Sequence, residues 1–285
     1  MPLKFTKMHG LGNDYVYVSL FKERVDDPAA LARAMSDRHR GVGGDGLILV
    51  APPQGADADV RMIMYNADGS RAQMCGNGIR CVAKLAYERG LARANPLRVQ
   101  TDAGVLSLDL KLGADERVEA VRVDMGAPIL DPKRIPVLLE GENVVARRIA
   151  LGEQTLSMTC VSMGNPHAVL FALDLTRVPL AEWGPQLERH PLFPERVNVH
   201  FVEAVRPDFV KMITWERGTG LTQACGTGAC AVCVAGVLNG LTKRAITVEL
   251  PGGQLQIEWD AARGHVFMTG PATEVFTGVW PTCPG

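Results

Sequence analysis

The spacing of hydrophobic and polar residues changes several times along the chain, and the changes outline its elements. Three stretches are short and rich in Val, Ile, Leu or Tyr: "LGNDYVYVSL" (11–20), "GLILVAP" (46–52) and "VRMIMYN" (60–66). They predict strands. "DPAALARAMSDRH" (27–39) predicts a helix with Pro28 in its first turn. Two longer runs, "GNGIRCVAKLAYERGL" (76–91) and "GTGACAVCVAGVLNGL" (226–241), predict helices ending at Gly90 and Gly240. The second is apolar on nearly every face and should be buried. Two stretches follow these helices, "PLRVQTDAGVLSLDLKL" (96–112) and "RAITVELPGGQLQIEW" (244–259), and predict hairpins with glycine in the turn.

The pattern repeats. With Cys75 set over Cys225, Gly76 falls on Gly226, Gly78 on Gly228, Val82 on Val232 and Gly90 on Gly240, while Gln73 meets Gln223 upstream. With a one-residue shift the two hairpins align, so that Val99, Gly104 and Leu106 meet Val248, Gly253 and Leu255. Near the start, "MHGLGNDYVYV" (8–18) answers to "SMGNPHAVLF" (162–171), with Gly12-Asn13 over Gly164-Asn165. Chance similarity among Gly-rich and Ala-rich segments is the alternative, but four segments recur in one order. The repeat predicts two similar halves, each mostly β with a long helix packed against or inside its sheet.

Composition narrows the class. The 285 residues are 47% apolar and 21% charged, with a formal net charge of −1 and no basic or acidic block. That balance argues against a nucleic-acid or membrane-surface protein. The N-terminal "MPLKFTKMHG" has no apolar signal core, and the longest apolar stretch is too short to span a bilayer. Seven cysteines, an odd number, with no export signal predict reduced thiols in the cytoplasm.

The repeated segment carries the candidate chemistry. In each half a strand and short loop lead to Cys-Gly-x-Gly and then a helix, which puts the cysteine at a helix N-terminus. Partial positive charge there should stabilise a thiolate and lower the thiol pKa. The glycines let an anion approach the backbone amides. If both cysteines flank one substrate, a thiolate takes a proton from one face of a carbon and a thiol returns one to the other, inverting the centre. A racemase needs equivalent groups on opposed faces, which accounts for a duplication.

Blander readings stand beside this one. Cys81, Cys160, Cys230, Cys233 and Cys283 read as packing thiols. Cys230 and Cys233 form C-x-x-C, but within an apolar helix and without a second pair or a finger-spaced histidine, so no zinc site is expected there. "GVGGDG" (41–46) fits G-x-G-x-x-G formally, yet has a helix before it and a strand after it, the reverse of a dinucleotide site. Asn13, Asn66, Asn165 and Asn198 could be turn residues, and His167 a structural histidine.

The segments "FTKMHGLGNDYV", "YNADGSRAQMCGNGIRC", "GNPHAV", "RVNVHFV", "WERGTGLTQACGTGA" and "MTGPATEVF" together make the chain resemble the diaminopimelate epimerase family along essentially its whole length. The resemblance implies an α/β (α+β) fold of two pseudo-symmetric lobes, each a β-barrel-like sheet around a central helix, with the active site between them. The lobes would be 1–125 plus 272–285, carrying Cys75, and 126–271, carrying Cys225. It implies a cofactor-independent isomerase, with no metal, that interconverts LL- and meso-diaminopimelate for lysine and peptidoglycan synthesis, and a cytoplasmic homodimer with no nucleic-acid or membrane partner.

By the same resemblance Cys75 and Cys225 are the acid/base pair. The amides of Gly76, Asn77, Gly226 and Thr227 would hold the reacting carboxylate. Asn13, Asn66, Asn165, Asn198, Glu216 and Arg217 would contact substrate, Arg217 gripping the distal carboxylate. His167 and Glu216 would support the thiols. Two positions depart from the family pattern. Gly46 stands where some members have glutamine, and Phe276 where some have tyrosine at a dimer contact. Two other readings are kept: a non-catalytic thiol protein binding metal or sensing redox state through Cys75 and Cys225, and a related proline or hydroxyproline isomerase. Those isomerases usually have histidine where this chain has Asn77.

Overall fold

The computed structural model describes residues 2–281. Cys283 lies outside the described residues. The chain packs as two compact units, one running to Val123 and resuming at Gly270, the other Asp124–Thr269.

The first lobe opens with β1 (Leu3–Gly10) and β2 (Asn13–Ser19), joined by a tight hairpin. Leu11 and Gly12 both have positive φ, 57° and 83°, the twist that a two-residue hairpin turn requires. Then come α1 (Pro28–Ser36), β3 (Gly46–Ala51), β4 (Val60–Asn66), the short β5 (Arg71–Ala72), α2 (Gly76–Glu88), β6 (Leu97–Thr101), β7 (Gly104–Leu112) and β8 (Val118–Asp124). The β2–β3 and β4–β6 pairs are parallel and the others antiparallel. β3 is buried on both faces, as its unbroken apolar run dictates. Its outer face meets α1 and its inner face meets α2, which touches β1, β2, β3, β4, β6 and β7 and so forms the axis of the lobe.

The second lobe repeats this plan. β9 (Val144–Leu151), β10 (Gln154–Ser162), β11 (Pro166–Phe171), α3 (Leu180–Glu188), β12 (Asn198–Arg206), β13 (Phe209–Glu216), β14 (Gly220–Leu221), α4 (Gly226–Leu238), β15 (Ala245–Leu250), β16 (Gly253–Trp259) and β17 (Val266–Gly270) follow in order. Again two pairs are parallel, β11–β12 and β13–β15. The last strand, β18 (Thr273–Trp280), pairs with β1, as β9 pairs with β10. Each lobe is thus a barrel-like sheet around one 13-residue helix. The sequence repeat is a repeat of this unit. α4 is buried along nearly its whole length, with Cys230 and Cys233 in its packed interior. Burial pushes the Cys233 thiol up to about 12, so it behaves as an inert packing group.

Two local differences from the sequence reading have clear causes. α1 stops at Ser36 rather than near residue 39, because the Asp37 carboxylate accepts the amide hydrogens of His39 (2.8 Å) and Arg40 (2.9 Å) and turns the chain. α3 contains Pro185, which hides a short helix from a pattern search.

Candidate active site

Cys75 is the N-cap of α2, in an extended conformation (φ −136°, ψ 120°). Its Sγ accepts the Gly78 amide hydrogen at 3.4 Å and donates to Asn13 Oδ1 at 3.3 Å. Asn13, the first residue of β2, is itself fixed by donating through Nδ2 to Asp45 Oδ2 at 2.7 Å. Asp45 and Asp14 share Arg38 (2.9 and 2.8 Å), and Lys7 also binds Asp14, so a charged lattice anchors the asparagine. Below the sulfur, Tyr15 and Tyr17 alternate on β2 toward α2. Burial first, and then proximity to Cys75, drive the Tyr15 phenol far above its usual range; burial does the same to Tyr17. Both stay neutral. In the second turn of α2 the fully buried Arg80 donates to Gly76 O (3.0 Å), Asn77 Oδ1 (3.0 Å) and Pro271 O (3.1 Å), fixing the path of the glycine-rich segment.

Cys225 occupies the same place on α4, again as an extended N-cap (φ −123°, ψ 103°), but makes no side-chain capping bond. Its Sγ lies 3.7 Å from Thr227 Oγ1. Gly226 and Thr227, like Gly76 and Asn77, are the first two helical residues, whose amides an α-helix turns toward its N-terminal end. This is the arrangement that receives carboxylates.

A buried polar chain runs beneath Cys225. Asn165 Oδ1 is 2.9 Å from His167 Nε2, His167 Nδ1 is 2.9 Å from His200 Nε2, and His200 Nδ1 is 3.0 Å from Thr214 Oγ1. Burial holds both imidazoles neutral. It takes His200 down to about 3, and it lowers His167 well below its usual value, reinforced by His200 and then by the Arg217 charge. Neutrality fixes the protons. An amide oxygen can only accept, so His167 donates from Nε2 and accepts at Nδ1. His200 therefore donates from Nε2 and accepts the Thr214 hydroxyl hydrogen at Nδ1. The strand register makes this possible. On β12 Asn198 and His200 share a face, His167 sits beside Asn198 on β11, and Thr214 pairs with His200 from β13.

The two lobes can be overlaid position by position through their registers. Tyr15 pairs with Gly46 and Ile48 with Met64 in one; His167 pairs with Asn198 and His200 with Thr214 in the other. A Cβ on Gly78 would lie 2.7 Å from Ile48 Cδ1, whereas one on Gly228 would lie 2.3 Å from His200 Cε1, 2.7 Å from His200 Nε2 and 3.0 Å from Cys225 Sγ. The scaffold slot is the same. It holds an aliphatic chain below Cys75 and an imidazole below Cys225.

A family model described as diaminopimelate epimerase matches residues 5–130 and 159–275. The chain belongs to the diaminopimelate epimerase family. It is 51% identical to a diaminopimelate epimerase of Acetivibrio thermocellus, over 97% of this chain and 98% of the relative. With that of Desulforudis audaxviator it shares 52% identity, over 98% and 99%. Among solved structures, a phenazine biosynthesis protein of Bacillus anthracis is similar in fold (TM-score 0.71, 16% identity, covering 99% of this chain and 100% of that one).

The remaining residues proposed from the resemblance to diaminopimelate epimerases divide by lobe. Asn66 ends β4, where its Nδ2 donates to Ser70 Oγ at 2.9 Å within a turn. Asn198 is buried and holds backbone with both ends of its amide: Nδ2 donates to Pro166 O and Oδ1 accepts from the Arg217 amide, each at 2.9 Å. It positions Arg217 and retains one N–H and one lone pair. The exposed Arg217 guanidinium donates to Glu195 O at 3.0 Å. Glu216 accepts the Thr222 hydroxyl at 2.6 Å. Within the second lobe, Asn165, His167 and Cys225 lie together, and Glu216 is brought beside Asn198 by the β12–β13 register.

Position 46, which departs from the pattern of some diaminopimelate epimerases, has a steric reason to be glycine. A Cβ there would lie 2.1 Å from Tyr65 O. Phe276 packs edge-on against Phe5, with centroids 6.0 Å apart. His200, Thr214, Tyr15 and Arg80 were not singled out from sequence. For His200 a signal existed: it lies two residues past Asn198 in a strand, hence on the same face.

Proposed function

We propose that this protein is a cofactor-independent isomerase that interconverts LL- and meso-diaminopimelate by two-base proton transfer between Cys75 and Cys225. The observation that carries this reading is the placement of both cysteines as extended N-caps of the central helices of two like lobes. One sulfur, as thiolate, removes the α-hydrogen. The other, as thiol, delivers a proton to the opposite face of the same carbon. The amides of Gly76, Asn77, Gly226 and Thr227 hold the reacting carboxylate and so stabilise the charge that develops as the carbon loses its proton. In the reverse direction the two sulfurs exchange roles.

The remaining groups orient the substrate and the thiols. Asn13 takes the Cys75 thiol hydrogen at rest, which supports a role for Cys75 as the proton donor. His167, neutral and locked by Asn165, orients the polar surroundings of Cys225 without competing for its proton. Glu216 holds an ammonium group. Arg217 holds the distal carboxylate, with Asn66 and Asn198 shaping that end.

The product serves lysine and peptidoglycan synthesis in the cytoplasm. All six described cysteines are free thiols, which fits a reducing compartment. No helix of the described residues is long and apolar enough to cross a membrane. The active form is a homodimer, and the exposed apolar side chains Val275, Phe276 and Val279 of β18 are candidates for its contact.

The test is a substrate panel. Reduced, purified protein should convert LL-diaminopimelate to the meso form and back without added metal or pyridoxal phosphate, and should leave lysine and proline unchanged. Racemisation of proline or lysine at a comparable rate would refute the two-ended recognition.

A further inference from the structure

The polar chain under Cys225 has a composition that proton transfer does not require. His167 Nδ1 or Nε2, His200 Nδ1 or Nε2 and Cys225 Sγ provide three donor atoms within 4.8 Å of one another, all three residues being buried. Two imidazole nitrogens and one thiolate form a donor set suited to zinc. The second shell is also in place. Asn165 Oδ1 accepts from His167 Nε2, so His167 Nδ1 presents its lone pair inward. Thr214 Oγ1 can accept as well as donate, so it can take a proton from His200 Nδ1 and free His200 Nε2 to ligate.

Glycine at the start of α4 lets two of the donors close in on the helix. Gly228 has no Cβ, and one placed there would come within 3.0 Å of both His200 Nε2 and Cys225 Sγ. The two ring nitrogens are 2.9 Å apart, and ligands at opposite corners of a tetrahedral zinc site sit about 3.3 Å apart. A shift of a few tenths of an ångström opens the pair. The first lobe provides an internal comparison. Its equivalent positions hold Tyr15, Ile48 and Met64, which offer no such donor set around Cys75.

We propose that His167 Nδ1, His200 Nε2 and Cys225 Sγ form a zinc site that silences Cys225 when occupied. Binding forms two Zn–N bonds and one Zn–S bond. The Cys225 thiol proton leaves to solvent, and the His200 proton passes from Nε2 to Nδ1, where Thr214 accepts it. A zinc-bound thiolate can neither take nor return the substrate proton, so the metal is a reversible inhibitor and not a cofactor. The inhibitory consequence rests on the proposed role of Cys225; the site itself does not.

Reduced protein is titrated with Zn²⁺ alone by calorimetry near neutral pH, and with Co²⁺ followed by absorption. One Zn²⁺ should bind per chain, and Co²⁺ should give a sulfur-to-metal charge-transfer band. Cys225→Ser should remove the band. His200→Asn should weaken zinc binding about 100-fold, and Thr214→Val, which removes only the orienting partner, about 10-fold. Cys75→Ala should change neither measurement. If His200→Asn does not fold, His200→Ile with Thr214→Met copies the Ile48–Met64 pair of the other lobe and should also abolish binding. The proposal is overturned if no zinc binds, if His200→Asn binds as tightly as the native chain, or if Cys75→Ala loses binding as Cys225→Ser does. Zinc bound by a protein that shows no epimerisation would sustain the site and sink the proposed reaction. Zinc that inhibits, with recovery on adding a chelator, supports both.

Discussion

Replacing His200 by asparagine should flatten the acid sensitivity of the fold. In the native protein His200 is fully buried, and burial lowers it to about 3, while an unfolded histidine titrates near ~6.5. The sign follows from proton counting. Below about pH 6.5 the unfolded chain takes up a proton that folded His200 refuses, so stability falls as pH drops and the loss is complete only below the folded value. Between pH 7 and 5 this single group removes about 2 kcal/mol. His167, shifted in the same direction by burial, by His200 and by Arg217, adds to the loss. Asp14, whose ion pairs with Arg38 and Lys7 outweigh burial and leave it below its usual value, contributes stability lost only at more acid pH. Asparagine cannot take a proton, so its unfolded state gains nothing from acid at that position. Urea titrations of the native and His200→Asn proteins at pH 7, 6 and 5 measure the difference. The native protein should lose about 2 kcal/mol more over that range than the variant. Parallel stability curves would refute the buried neutral histidine pair.

Two further substitutions test separate parts of the account. Gly46→Ala places a Cβ 2.1 Å from the Tyr65 carbonyl oxygen and should destabilise the first lobe by at least about 1–3 kcal/mol in thermal or urea unfolding; a change within about 0.5 kcal/mol would show that the strand shifts freely. Arg217→Met should raise KM for diaminopimelate steeply, by the ~2–5 kcal/mol of an unpaired buried carboxylate, while leaving alkylation of Cys75 and Cys225 unaltered; an unchanged KM would move the distal grip to another residue.

Much of this architecture is legible in the sequence because it is said twice. The Cys-Gly-x-Gly segments, the helices ending at Gly90 and Gly240 and the hairpins at 97–112 and 245–259 recur in order, and the lobes recur with them. What the chain does not announce is long-range pairing. β18 joins β1 across more than 260 residues, and no local preference encodes that. The site follows the same division. Both cysteines are marked by their helix starts. His200 lies within "RVNVHFV" and looks like one more strand residue until its register with Thr214 and His167 is known. The repeat also conceals it, since likeness draws attention to shared positions, and His200 stands where the other lobe has Ile48. The difference between the lobes lies at such unmatched positions: Tyr15 and Ile48 under one sulfur, His167 and His200 under the other.

The central claim is that one proton-transferring sulfur acts on each face of the substrate carbon. It is tested most directly by following α-hydrogen exchange of LL-diaminopimelate in deuterated water with the reduced native protein, Cys75→Ala and Cys225→Ala. The native protein should place deuterium at the inverted centre. Each variant should lose epimerisation by at least the ~10²–10⁴-fold that general acid–base catalysis supplies, with its fold intact by circular dichroism. Near-native epimerisation by either variant would contradict the account.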